Sequence, residues 1–452
     1  MNHVRCLRRV VLGLAIGGFA AAPLGAQGLR SQISELFIFG PGEDPLFLAG
    51  TADPNNPATV QLHGRHFTPS AAAGNGTIIS FITNVISSNV ADFPFSAASS
   101  GSTFRFEGGV PVRTSISSGP IFAERAPTLG RGRAFVGMSY NSFHYATLRG
   151  VDLANIQLTF THQNVDNPTC DSIAGTDCAP MGVPTLENDI MPFVLSLDVT
   201  THLLSFAFTY GITDRIDIGV ALPIISTSLL GHSDARIIPF GGPTAAHFFA
   251  GTPSNPVLEA TRFVQGSATG LGDVAVRLKV NLRHSEVTSL ALLADARLPT
   301  GSQEDLLGAG EFSGRIIGVV SSRYGAFGPH ANLGYLYRGG DTRNDAVAAT
   351  AGFDQLLSSW ATLAVDVISQ LQVGDSKLEV PGPVLITVPF RRTIQTSAIP
   401  NQRDDIVDGS IGFKFTTIDG QGPTFVVNSL WPLNRGGLRT NVLWTLGVEY
   451  NF

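Results

Sequence analysis

Asn441-Val-Leu-Trp-Thr-Leu-Gly-Val-Glu-Tyr-Asn-Phe452 carries the clearest strand signal in the chain. Val442, Trp444, Leu446, Val448, Tyr450 and Phe452 fall on one face, and Asn441, Thr445, Gly447, Glu449 and Asn451 on the other. Only Leu443 breaks the alternation. Side chains of a strand alternate between its two faces, so a wholly apolar face opposite a polar one implies two different environments. Lipid outside and water inside meet that requirement in a membrane barrel. An apolar strand ending on a terminal Phe is the expected closing strand, with Val448, Tyr450 and Phe452 as its assembly signal.

The same pattern recurs upstream. Val274, Val276, Leu278, Val280 and Leu282 oppose Asp273, Arg277, Lys279, Asn281 and Arg283. A one-residue slip would turn Arg277 and Lys279 to lipid, at about 2–4 kcal/mol each near the midplane. Ile216 to Ile224 oppose Asp217 and Gly219, Leu363, Val365 and Val367 oppose Asp366, and Ile411 to Phe415 oppose Lys414. The stretch 193–210 changes phase near Leu203–Leu204, which predicts a bulge. The fold class expected is all-β: a transmembrane antiparallel β-barrel of about fourteen strands with an irregular or helical N-terminal plug. The strands fall near 102–108, 131–143, 154–164, 193–210, 214–229 and nine later segments. Short turns at 211–214, 283–286, 324–328 and 417–422 alternate with long loops at 230–270, 299–311 and 373–404, as periplasmic turns and external loops do.

The N-terminus reads as a secretory signal. Arg5, Arg8 and Arg9 precede a short apolar run, and Leu24-Gly25-Ala26 supplies a small-residue cleavage site. The run is too short for a spanning helix, which needs about 20 apolar residues. Residues 1–26 are thus an expected cleaved signal peptide, 27–101 a plug or periplasmic segment with helix around 77–90, and 102–452 the barrel. High Gly (50) and an excess of Phe (29) over Tyr (7) suit turns and pleated faces. The formal charge of −6 becomes −9 once the signal arginines leave, and only Lys279, Lys377 and Lys414 are lysine. That composition disfavours nucleic acid as a partner. Cys170 and Cys178 flank a polar loop and lack CxxC spacing, so an exported chain would pair them as a disulfide.

Three phrases, Tyr210-Gly-Ile-Thr-Asp-Arg-Ile-Asp-Ile-Gly-Val-Ala-Leu-Pro223, Gly270-Leu-Gly-Asp-Val-Ala-Val-Arg277 and Arg297-Leu-Pro-Thr-Gly301, resemble outer-membrane proteins of the phenol meta-cleavage pathway family. That family is related to FadL-type channels for fatty acids and aromatic hydrocarbons. The resemblance spans roughly 100–452 and implies a fourteen-stranded barrel with an N-terminal plug that takes up hydrophobic small molecules across the cell outer membrane. It carries over no ligand-binding residues.

Catalytic signatures are missing: the chain has no GxSxG, no HExxH and no P-loop lysine. His202 and Ser205 are the best nucleophile pair on a strand, but three residues apart they face opposite ways. No catalytic, cofactor or metal residues are expected. The candidate lumen-lining residues are Asp217, Asp273, Arg277, Lys279, Asp295, Arg297, Asp366, Lys414 and Glu449. Mixed charges there would either select solutes or pair in a packed interior. The partners expected are outer-membrane lipid, the barrel-assembly machinery and a hydrophobic small molecule. Phe240, His247, Phe248, Phe249, Val257, Leu258 and Phe263 form an apolar group in the 231–270 loop that would capture such a molecule or pack on itself. The rival function is a structural or surface-interaction barrel that conducts nothing.

Overall fold

The computed structural model describes residues 28–40, 44–48, 66–69, 72–90, 104–107, 110–113, 117–162, 189–240, 247–252, 254–285, 287–386, 390–417 and 422–452. The expected signal peptide and the Cys170–Cys178 pair lie outside them. Among the described residues no helix is long and apolar enough to cross a membrane.

Helices α1 (Leu29–Glu35) and α2 (Ala73–Val90) precede the sheet. A separate two-stranded hairpin follows, β1 (Phe104–Glu107) with β2 (Val110–Arg113). The wall then opens with β3 (Ala134–Leu148), β4 (Val151–Asp152), β5 (Ile156–Thr161), β6 (Ile190–Thr213) and β7 (Ile216–Arg236). After a small hairpin, β8 (Ala250–Thr252) with β9 (Asn255–Val257), come β10 (Glu259–Leu271), β11 (Val274–Arg283), β12 (Thr288–Leu298), β13 (Ser313–Ser322), β14 (Phe327–Arg338), β15 (Ala346–Ser358) and β16 (Ala361–Gln372). An external hairpin, β17 (Val384–Ile386) with β18 (Arg392–Ile394), interrupts before β19 (Ile406–Thr416), β20 (Thr424–Pro432), β21 (Leu438–Thr440) and β22 (Leu443–Asn451).

Antiparallel pairing runs from β6 through β7, β11–β16, β19, β20 and β22 to β3, and β3 pairs back with β6. The ring therefore closes with twelve strands rather than fourteen. Two segments account for the difference. Segment 102–108 contributes β1, which pairs only with β2. Segment 154–164 contributes β5, which lies on the same edge of β6 as β3 and above it: β3 pairs with Thr200–Tyr210 and β5 with Ile190–Leu195. Strands β3 and β5 are thus two pieces of one interrupted strand position. On the other side β10 and β11 likewise share one edge of β7, opposite 224–236 and 216–221. The expected loop 230–270 is accordingly mostly strand, and only 237–258 connects β7 to β10.

No bulge interrupts β6 at Leu203–Leu204; inward and outward residues alternate without a phase change. What changes is the polarity of each face. Below that level Leu204, Phe206, Phe208 and Tyr210 point outward, with Ser205 and Thr209 inside. Above it Asp198, Thr200 and His202 point outward, and Leu195, Leu197, Val199 and Leu203 are buried inside. Strand β7 inverts at the same height, from outward Ile218 and Leu222 to outward Ser226, Ser228, Asp234 and Arg236. Strand β10 continues the polar outer face with Glu259, Thr261, Gln265, Ser267 and Thr269. The lower half thus has the faces of a wall in lipid, and the upper sheet β5–β6–β7–β10 those of a sheet in water folded over an apolar filling.

That filling is the N-terminal segment. Leu29, Ile33, Leu36 and Phe37 from α1 and its C-terminal flank, and Ile78, Phe81, Ile82, Val85 and Ile86 from α2, join one buried cluster with Phe193, Leu197, Val199 and Leu229. Phe37 stacks on Phe193 at 5.0 Å, and the Ser233 hydroxyl donates to the Leu36 carbonyl at 2.7 Å. At Gly231 a Cβ would sit 2.7 Å from the side chains of Leu36 and Val264, so the wall comes close to the plug there.

Short turns close the lower end, and Tyr324, Phe327, Trp360, Phe425, Tyr450 and Phe452 are exposed beside them, as an aromatic girdle at one lipid interface would be. Phe452 seals the ring by donating its N–H to the Ala134 carbonyl at 2.8 Å. Deleting Phe452 is expected to lower the heat-modifiable, folded fraction in outer membranes several-fold. Semi-native gel mobility checks this, and unchanged assembly would count against the closure.

Candidate functional site

The lumen of the lower half is the candidate site. Its sequence-derived residues Asp217, Arg277, Lys279, Asp295, Arg297, Asp366, Lys414 and Glu449 all lie on inward faces. Asp273 sits instead in the break between β10 and β11. Its carboxylate accepts from the backbone N–H groups of Gly301 (3.0 Å) and Ala309 (2.8 Å), so it fastens the 299–311 loop.

Residues 117–129, which alternation in the sequence does not mark, run inside the barrel before β3. Ile121, Ala123, Ala126 and Leu129 are buried. Glu124 forms ion pairs with Arg277 at 2.7 Å and Lys279 at 3.7 Å, while Arg277 also holds Asp295 at 2.9 Å. Asp217 accepts from the Leu129 N–H at 3.0 Å and lies 3.9 Å from Lys279. Arg125 pairs with the buried Asp354, which also accepts from Ser117. His330 bridges toward Asp366 at 2.6 Å, and Lys414 reaches Glu449 at 2.9 Å. Each charge has an opposite partner, the condition under which buried ions are tolerated. Together these contacts close the lower lumen.

Above this seal a small open cavity of about 70 Å³ lies between Phe122 and Glu124 on one side and β11–β16 on the other. Ile317, Leu336, Ala348 and Ile368 give it apolar walls, and Arg297, Arg315, Thr350 and Gln370 supply polar groups. A second cavity, of about 50 Å³, opens higher, beside Ser88 at the end of α2 and Arg338, Arg343 and Asn344. At this mouth Asp345 accepts from the Arg338 N–H (2.8 Å) and the Tyr335 hydroxyl (2.6 Å). Partial burial pushes its carboxyl up, but those hydrogen bonds together with Lys377 and Arg338 hold it below the usual range. Buried Arg149 clamps the top by chelating Asp404 through Nε and a terminal nitrogen, both 2.8 Å, while lying 4.9 Å over the Phe81 ring of the plug.

The apolar group expected in the 231–270 loop divides. His247, Phe248 and Phe249 are buried, with Phe249 against Phe39 of the plug at 5.2 Å. Phe263 points outward from β10, 70% exposed and stacked on His232 at 4.3 Å. Those residues do not form one capture surface. His202 is outward with its Nδ1 2.8 Å from the Tyr140 hydroxyl, whereas Ser205 is inward, so the pair cannot act as nucleophile and base. His66, His162 and His247 meet at the external end, a juxtaposition that sequence spacing gave no means of finding.

With this geometry in place, the relatives of the chain can be set beside it. Residues 227–367 match the family described as "Putative MetA-pathway of phenol degradation". The match runs from the upper half of β7 into β16, and includes the Gly270–Arg277 and Arg297–Gly301 phrases. No curated protein matches the chain. Among solved structures, an outer-membrane channel from Pseudomonas putida F1 is similar at 11% identity and TM-score 0.38, over 72% of this chain and 98% of that one. A FadL homologue from Pseudomonas aeruginosa is 8% identical at TM-score 0.32, over 71% and 89%. A mutant of the TodX monoaromatic hydrocarbon channel is 11% identical at TM-score 0.33, over 79% and 96%.

Proposed function

We propose that this chain is an outer-membrane channel for passive uptake of hydrophobic or aromatic small molecules, exported by a cleaved signal and inserted by the barrel-assembly machinery. The observation that carries the reading is the cavity above the seal, inside a ring whose outer face is apolar. Apolar walls with a few polar groups are the lining of a small-molecule site. Phe122, Leu336 and Ile368 offer a surface to a ring, and Arg297 and Arg315 suit a hydroxyl or carboxylate substituent. The family match over 227–367 favours the same class of solute.

A second reading, a barrel that conducts nothing, is favoured by one observation: the charges around residues 117–129 are paired and close the lower lumen. Transport then requires this inner segment to move. Uptake of a radiolabelled phenol by cells whose outer membrane is otherwise a barrier separates the two. The channel reading expects uptake to rise several-fold on expression while a disaccharide of similar mass is unaffected. Equal phenol uptake with and without the protein would leave the structural barrel.

A further inference from the structure

The external end gathers three histidines from three separate stretches of chain. His66 belongs to the N-terminal plug, His162 follows the last residue of β5, and His247 lies in the connection from β7 to β10. All three are buried, at 8%, 7% and 0% exposure. One ring nitrogen from each lies within 4.8 Å of the other two. The ring centroids are 4.2 Å apart for His66–His162, 4.7 Å for His162–His247 and 5.3 Å for His66–His247. Nδ1 of His66 faces Nε2 of His162 directly.

We infer that His66, His162 and His247 bind a divalent transition metal ion of the zinc type, which clasps the plug to the external rim of the barrel. Tetrahedral zinc takes imidazole nitrogens at about 2.0–2.1 Å, so its ligand atoms stand roughly 3.3 Å from one another. Only small side-chain adjustments separate the present cluster from that arrangement. A second observation points the same way. The Asp189 carboxylate lies 2.7 Å from Nδ1 of His247 and also accepts from the Phe240 N–H at 2.7 Å. A carboxylate fixing the far nitrogen of a histidine is the usual outer partner of a metal-binding imidazole, and here it leaves Nε2 as the ligand atom. Three imidazoles with one outer carboxylate are soft enough for zinc, and poor for calcium or magnesium, which prefer oxygen.

The surroundings hold the three stretches in place without metal chemistry. The Asn75 amide donates to the carbonyls of Phe67 (2.9 Å) and Thr161 (3.0 Å) and accepts from the Thr161 N–H (3.3 Å). That side chain ties the start of α2 to the residues next to His66 and His162. The Phe67 ring packs on His162 at 5.7 Å and His247 at 5.4 Å, closing one side of the cluster. Because the plug supplies one ligand and the rim two, binding a metal adds directly to the free energy of plug docking. The inference does not depend on what the barrel transports.

The test uses the full-length, untagged protein in detergent, stripped with a chelator and then given zinc alone. About one zinc per chain should remain after gel filtration, and cobalt in its place should give the intense visible bands of low coordination number. His66→Ala, His162→Ala and His247→Ala should each weaken zinc binding at least 100-fold, and Asp189→Asn by about 10–100-fold. Heat-modifiable mobility reports whether each variant barrel is folded. Folded wild-type protein that retains no zinc would overturn the inference, as would folded His247→Ala and His66→Ala proteins that bind as tightly as their parent.

Discussion

Replacing Arg277 with alanine is expected to open the lower lumen. Among the described residues Arg277 is the one cation that touches both Glu124 of the inner segment and Asp295 of the wall, at 2.7 and 2.9 Å. Its loss leaves two buried carboxylates without the guanidinium they share. Removing one partner of a buried pair costs about 3–5 kcal/mol, most of it from the charge left behind. Lys279, 3.7 Å from Glu124, and Arg315, 3.3 Å from Asp295, offset part of this, which places the effect at the lower end of that range. Arg125 still holds Asp354, and Lys279, Asn281 and Ser321 still bond the backbone of residues 125 and 126, so the inner segment loosens around Glu124 rather than leaving the lumen. Single-channel recordings should show a conductance rise of roughly tenfold over the parent, with Arg277→Lys in between. Unchanged conductance in a folded Arg277→Ala barrel would mean that residues 117–129 do not seal the path.

Deleting residues 28–95 while keeping the signal is expected to do something different: to unfold the external sheet and leave the membrane ring standing. None of the described residues in this stretch joins a ring ladder; the first strand of the ring begins at Ala134. Phe193, Leu195, Leu197, Val199, Ile225 and Leu229, however, lose the apolar surface that covers them. Each fully buried side chain of this size contributes about 1.5–3 kcal/mol relative to exposure. The upper halves of β6 and β7 should therefore become protease-sensitive down to about Leu203 and Ile225, with a protected core still migrating as a folded barrel. Conductance should rise little in this truncation alone and sharply when Arg277→Ala is added. A large rise from the truncation by itself would locate the barrier in the N-terminal plug instead.

These two expectations depend on features the sequence revealed unevenly. Alternation exposed every strand that stands in lipid, because only there must one face be wholly apolar. It counted β5 separately from β3, since a period-two pattern carries no information about whether two strands lie side by side or end to end. The phase change near Leu203–Leu204 was real as a sequence signal, but its cause is a change of surroundings at constant geometry. Below it the outside is apolar, and above it the inside is. The inner segment had no period to find: Ile121-Phe-Ala-Glu-Arg125 contacts the wall one residue at a time through Glu124 and Arg125. The lumen charges are legible as inward residues, and Arg277–Asp295 and Lys414–Glu449 pair within that set, whereas Glu124 and Arg125 are not, because they sit on the unpatterned inner segment far along the chain from Arg277 and Asp354. The histidine cluster was invisible for the same reason, each ligand being close only after the plug has docked.

In the proposed function an aromatic solute passes through the cavity between the inner segment and β11–β16. Ala348 lines that cavity from β15 with its side chain inward, and Ala348→Trp would fill it. The most direct measurement is the initial rate of radiolabelled phenol uptake by cells expressing equal amounts of folded wild-type or Ala348→Trp protein. The wild type should raise the rate several-fold over cells lacking the protein, and Ala348→Trp should return it to that baseline. A folded Ala348→Trp protein that supports uptake as fast as the wild type would contradict the claim.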